Sequence, residues 1–115
     1  MTGGLPRHER LTTSADFQAL FQRGKRIDRP SMIVLWRETV VPRRAGFAVS
    51  RQVRGAVARN RVRRRLREAY RAARDAAPPG VDLVIVGRPG ALRARFAALV
   101  AELRAALATI AARPA

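Results

Sequence analysis

No cysteine occurs in the 115 residues, so disulfide bridges and thiolate metal sites are excluded. Histidine occurs once, as His8, close to the start of the chain. Acidic residues are sparse and scattered at positions 9, 16, 28, 38, 68, 75, 82 and 102, without the spacing of a metal-binding or acid–base cluster. A protein that hydrolyses phosphodiesters unaided needs such groups, and that class is excluded by inventory. No stretch approaches the roughly 18 consecutive apolar residues of a membrane span. The segment around Pro6-Arg7-His8-Glu9-Arg10 lacks the apolar core of a secretion signal, so the expected location is the cytoplasm. Gly87-Arg88-Pro89-Gly90 has turn chemistry, and no phosphate-cradling glycine loop is present.

What the chain does have is positive charge. Lys and Arg number 24 against 8 Asp and Glu, a formal net charge of +16, and such a field concentrates polyanions. Nucleic acid is the default partner and an anionic membrane surface the competitor. Lys25 is the single lysine. A GC-rich genome accounts for arginine replacing lysine, but not for the charge imbalance. Hydrophobic residues make up 48% of the chain, enough to build a core in one domain of this length.

Residues 1–10 show no hydrophobic periodicity and are expected to form a flexible tail, with a single RNA-binding domain over 11–112. Thr13-Ser14-Ala15-Asp16 has the spacing of a capping box. Phe17, Leu20 and Phe21 then share one face of a short helix ending near Gly24. Met32-Ile33-Val34-Leu35-Trp36 and Gly46-Phe47-Ala48-Val49-Ser50 read as strands, the second antiparallel to the first because the link is short. A helix follows from about Ala56 to Ala76, stopped by Pro78-Pro79-Gly80. Val81 to Val86 is apolar enough for a buried strand. Leu92, Phe96, Leu99, Val100, Leu103, Leu107 and Ile110 draw one stripe along a final helix. The expected fold is α+β, a single-layer mixed sheet of about four strands with three helices in the order α-β-β-β-α-β-α.

On a helical wheel, Ala58, Leu66, Ala69 and Ala73 fall within about 40° of Val62, with Tyr70 at the margin. Arg59, Asn60, Arg63, Arg64, Arg67, Arg71 and Arg74 fill the arc beside that stripe, and Arg61 and Arg65 lie on its far flank with Glu68. An ordinary solvated face mixes both signs. Here Arg59, Arg63, Arg67 and Arg71 repeat at i, i+4, and each like-charged pair destabilises the isolated helix by about 0.2–0.5 kcal/mol. Such a helix is expected to meet an anion. Arginine's fork binds phosphate bidentately and stacks on bases. Arg51 and Arg54 extend the patch toward the helix N-terminus, where free N–H groups also favour phosphate. Replacing Arg59, Arg63 and Arg67 together is expected to weaken RNA binding and leave the fold intact.

The run Gly55-Ala56-Val57-Ala58-Arg59-Asn60-Arg61-Val62-Arg63-Arg64-Arg65-Leu66-Arg67 resembles the signature helix of the bacterial ribonuclease P protein subunit family. Ser14-Ala15-Asp16-Phe17 with Phe21, Arg23 and Gly24 is similar to that family's opening helix. Ala45 to Ser50 resembles the strand before the arginine helix, and Pro79 to Gly90 the last strand and turn. These matches run in the family's order over roughly residues 9–110.

The resemblance implies a protein that binds a large catalytic RNA, one protein per RNA, and assists removal of the 5′ leader from precursor tRNA. Hydrolysis is then the work of the RNA and its Mg²⁺, with no cofactor on the protein and no catalytic residue in it. Arg51, Arg54, Arg59, Asn60, Arg61, Arg63, Arg64, Arg65, Arg67 and Arg71 would serve the RNA face. Phe17, Phe21, Leu35, Trp36 and Ser50 would line a cleft for the single-stranded leader. Alternation puts Leu35 at the aligned position and Trp36 on the opposite face. Aromatics at i, i+4 also serve as core, and a ring edge can do both. The family further implies a left-handed crossover through the arginine helix, against the usual handedness. A structural RNA-binding protein of ribosomal type and a DNA-binding module compete with this reading, although no helix-turn-helix pairing is evident.

Overall fold

The computed structural model describes residues 5–114. Thr13 caps the first helix, α1 (Ser14–Arg23): its hydroxyl oxygen accepts a hydrogen bond from the Asp16 N–H. Four strands follow the expected order around a central helix: β1 (Lys25–Asp28), β2 (Met32–Glu38), β3 (Arg44–Val49) and β4 (Val81–Gly87). The arginine-rich helix, α2 (Ala56–Ala73), ends in a 3₁₀ turn over Arg74–Ala76, and α3 spans Phe96–Ala111. The architecture is α+β, as expected.

The sheet order is β1-β2-β4-β3. β2 and β3 run in opposite directions, yet they are not neighbours as the short link suggested. β4 lies between them, antiparallel to β2 and parallel to β3. Its fully buried, nearly all-apolar sequence fits this central place, because a middle strand must be covered on both faces. The β3-α2-β4 segment is therefore a parallel crossover.

Alternation sorts the sheet into two apolar layers. Met32, Val34 and Trp36, with Ala45 and Val49 and with Val81, Leu83 and Ile85, join the core beneath α2 and α3. Leu35, Val84 and Val86 face the other way, with Leu11 and Leu20. Val62, Leu66, Ala69, Tyr70 and Ala73 are the buried stripe of α2. That helix lies close on the sheet: a Cβ added to Gly87 would come within 2.2 Å of Val62 Cγ1. Leu99, Leu103, Ala106, Leu107 and Ile110 bury the stripe of α3, but Phe96 at its start is exposed.

The expected tail is not loose where it is described. Leu5 is buried in the main core and Arg7–Glu9 forms a 3₁₀ turn. Leu11 N–H donates to Ala45 O, and Arg10 pairs with Ala45 as a one-residue parallel bridge along the edge of β3. The buried Glu9 carboxylate accepts from Arg74 and lies 3.7 Å from Arg43 Nε. Polar residues hid this anchoring, because a segment held by one leucine and an ion pair has no periodicity. Residues 1–4 of the proposed tail lie outside the described residues.

Candidate nucleic-acid interface

Acids and arginines are paired very unevenly over the surface. Asp16 and Asp82 meet Arg37 and Arg44, and Asp28 meets Arg26 and Arg88. Glu9, Glu38 and Asp75 meet Arg74, Arg113 and Arg104. Glu102 accepts from the Ser31 N–H and hydroxyl. The acids are thus engaged away from α2, with Glu68 the exception. Among the described residues, Arg51, Arg54, Arg61, Arg63, Arg64, Arg67 and Arg71 have no carboxylate partner in an ion pair. Asn60 accepts from Arg63 Nη1 at 3.1 Å, which joins an exposed and a half-buried position of this row.

Two of the expected contact arginines have other work. Arg59 turns back under the start of α2 and donates from Nη1 to Ser50 O and Val53 O, and from Nη2 to Val49 O, at 2.9, 3.0 and 3.2 Å. Arg65 donates to Ala94 O and ties α2 to the segment before α3. Val49 ends β3, Ser50 and Val53 bracket the turn before α2, where the Val53 N–H also donates to Ser50 O, and Ala94 precedes α3; the long cationic forks add donors to these carbonyls. Arg59→Ala is therefore expected to cost about 1–3 kcal/mol, measured as a lowered urea midpoint. The triple replacement that includes Arg59 is therefore expected to lower stability as well as RNA binding, and an unchanged midpoint would contradict this.

The second expected surface lies on the α1 side of the sheet. Asp82, Val84 and Val86 of β4 point there, with Arg37, Leu35 and Ile33 of β2 and Arg44, Gly46 and Ala48 of β3. The short α1 covers only part of this face. Leu20 is fully buried against Leu35 and Val84, and the Phe17 ring lies on Gly46, where a Cβ would come within 2.5 Å of Phe17 Cζ. Ile33 and Ala48 remain half-buried at the far end, and Phe21, one helical turn past Phe17 on α1, is 52% exposed. The result is an apolar shelf with an aromatic wall. Ser50 continues the alternation of Ala48 at its rim, with its N–H bonded to Gly87 O and its hydroxyl oxygen accepting from Gln52 N–H. Arg26 and Arg88, held by Asp28, flank the shelf on the β1 side.

Trp36 does not belong to this cleft. It points into the opposite core and is 6% exposed, with Lys25 Nζ 4.9 Å and the Arg113 guanidinium 5.8 Å from its ring centroid. The cause is strand alternation, which gives the cleft face to Leu35, and Leu35 itself is buried under α1. Ile33 and Ala48 were missed by sequence reasoning, although the same alternation marks them.

Between the two surfaces, at the edge of β3, lies a cavity of about 330 Å³. Arg63 and Arg67 of α2 line one side, Leu5, Arg10 and Leu11 another, and Phe17, Gly46 and Phe47 its floor. Phe17 therefore borders both the shelf and the arginine row. Arg10 and Phe47 were also missed: Arg10 stands in the segment read as a tail, and Phe47 in a strand read for its place in the fold and not for its side chains.

A family model described as Ribonuclease P matches residues 5–111. The chain belongs to the ribonuclease P family. Within that family, a ribonuclease P protein component of Gluconacetobacter diazotrophicus is 44% identical over 104 residues, 88% of this chain and 90% of that one. Another, of Streptomyces avermitilis, is 42% identical over 113 residues, 90% of this chain and 92% of that one. The ribonuclease P protein of Thermotoga maritima has a similar structure, with a TM-score of 0.76, 29% identity, and 88% and 96% of the two chains covered. The Staphylococcus aureus ribonuclease P protein shares the fold, with a TM-score of 0.72 over 90% of this chain and 95% of that one. No group of three or more potential metal-ligating His, Asp or Glu side chains comes together among the described residues. No helix described is long and apolar enough to cross a membrane.

Proposed function

We propose that this chain is the protein subunit of a ribonucleoprotein endoribonuclease that removes the 5′ leader of precursor tRNA. The exposed row of α2, with Arg61, Arg63, Arg64, Arg67 and Arg71, binds the catalytic RNA, one protein to one RNA. The shelf formed by Ile33, Ala48 and Phe21 receives the single-stranded leader, whose bases can stack on an aromatic face whatever their sequence. Mg²⁺ and the hydrolytic step belong to the RNA. The observation that carries this reading is the segregation of charge: the acids are engaged elsewhere, while the α2 row is left uncompensated.

Affinity for precursor tRNA should depend on both the leader and the salt. If about four leader phosphates are contacted, the log–log salt slope attributable to the leader is near −3, or roughly 50-fold weaker binding between about 50 and 200 mM salt. Comparing leader-bearing with leaderless tRNA across that range in the assembled complex measures the slope. Equal affinity for the two RNAs at all salt concentrations contradicts the shelf assignment.

A further inference from the structure

One charged cluster lies on the α1 face of the sheet, at the end covered by the first turn of α1. Asp82 is the fully buried acid at the start of β4, in register with Arg37 of β2 on one side and Arg44 of β3 on the other. Its Oδ1 accepts from Arg44 Nε at 3.0 Å, and its Oδ2 from Arg44 Nη2 at 2.9 Å and Arg37 Nε at 3.0 Å. Arg37 Nη2 also donates to Asp16 Oδ1 at 2.9 Å, and Arg44 Nη1 lies 3.5 Å from Asp16 Oδ2. The Thr13 hydroxyl closes the set by donating to Asp16 Oδ2 at 2.6 Å. This hydroxyl, with the two guanidinium groups, holds the Asp16 carboxyl below the ordinary aspartate range, against the desolvation that raises it.

The cluster joins three strands to the first turn of α1, and its two acids cancel its two arginines. A neutral quartet does not attract phosphate. Nor is it required for stability as such, since buried ion pairs are commonly replaceable by apolar groups at no net cost. What bidentate forks supply is geometry. α1 needs it, because a helix of ten residues takes its orientation from tertiary contacts, and Leu20 is its only buried residue. The Phe17 ring on Gly46 acts as a fulcrum with no slack. Asp16 lies on one side of that fulcrum and the exposed Phe21 on the other, so a shift at Asp16 swings Phe21 over the shelf.

We propose that Asp16, Arg37, Arg44 and Asp82 are positioning residues for leader binding, fixing the tilt of α1 and so the gap between Phe21 and the Ile33–Ala48 floor. The proposal rests on the reading of that shelf as the leader site. Its test uses the full chain assembled with a bacterial ribonuclease P RNA, comparing affinity for leader-bearing and leaderless tRNA and, separately, for the catalytic RNA.

Asp16→Asn should reduce the preference for the leader by about fivefold, the low end for removal of one base–aromatic stack. Affinity for the catalytic RNA should stay unchanged, and Asp16→Glu should recover most of the preference. Arg37→Lys, which keeps the charge but cannot bridge Asp16 and Asp82, should repeat the loss. Phe21→Ala is the reference. If Phe21→Ala loses the preference while Asp16→Asn and Arg37→Lys keep it, the positioning role is overturned and the shelf stands. If all three keep it, the shelf reading fails and the proposal fails with it. An equal loss for catalytic RNA and leader overturns the proposal in favour of a general structural role.

Discussion

Replacing Arg63, Arg64 and Arg67 by alanine lowers affinity for the catalytic RNA by about a hundredfold or more at low salt, since each substitution removes a charge-assisted hydrogen bond to phosphate. The log–log salt slope becomes shallower by about 2 to 3, one unit or slightly less for each phosphate no longer neutralised. The fold survives, because the buried stripe of α2 runs through Val62, Leu66, Ala69, Tyr70 and Ala73, and none of the three arginines lies on it. Their removal also relieves the repulsion between Arg63 and Arg67, worth about 0.2–0.5 kcal/mol, and introduces the best helix former. Within the protein, the substitutions break the exposed hydrogen bond from Arg63 to Asn60, which contributes little at the surface. Thermal stability should therefore hold or rise slightly while binding collapses. Filter binding across a salt series, with a melting curve for each variant, checks both halves. A variant that unfolds, or that binds RNA as before, contradicts the placement of this face.

Asp82→Ala has the largest expected effect on stability. It leaves Arg37 and Arg44 facing each other, with Asp16 as their only remaining acid. Removing one partner of a buried pair costs about 3–5 kcal/mol, and the exposure of the two arginines, 32% and 26%, argues for the low end, about 3 kcal/mol. Against the 5–15 kcal/mol typical of a domain this is a large fraction, and the melting temperature should fall by about 10 °C or more. Asp75→Ala is the contrast: that acid is 74% exposed and pairs with Arg104 at the surface, so its loss should scarcely move the melting temperature. Equal effects from the two substitutions would show that Asp82 does not anchor the three strands to α1.

The parts of the molecule legible in the sequence are those governed by short-range rules. The Thr13 cap, strands β2, β3 and β4, the α2 stripe and the apolar stripe of α3 follow from short-range patterns that act over a few residues, whereas the exposed, polar β1 carries no such pattern. The insertion of β4 between β2 and β3 was not legible, because strand order is decided by burial on both faces rather than by loop length. At the interface, the arginine row was readable as a row, but the work of each arginine was not. Arg59 and Arg65 look the same in sequence as Arg63 and Arg64. They differ because the carbonyls of Val49, Ser50 and Ala94 lie within reach of the first two. Likewise Trp36 has the chemistry of a cleft residue and the wrong parity, and the half-buried Ile33 and Ala48 have the right parity without conspicuous chemistry.

The central claim is that this chain assists an RNA catalyst by holding both the catalyst and the leader. Its most direct test is cleavage of precursor tRNA by a bacterial ribonuclease P RNA at an Mg²⁺ concentration too low for the RNA alone, with and without the chain. The account predicts that adding the chain restores cleavage at the leader junction, that the Arg63/Arg64/Arg67 variant does not, and that the chain alone cleaves nothing. Cleavage by the RNA that is no faster with the chain than without it would contradict the account.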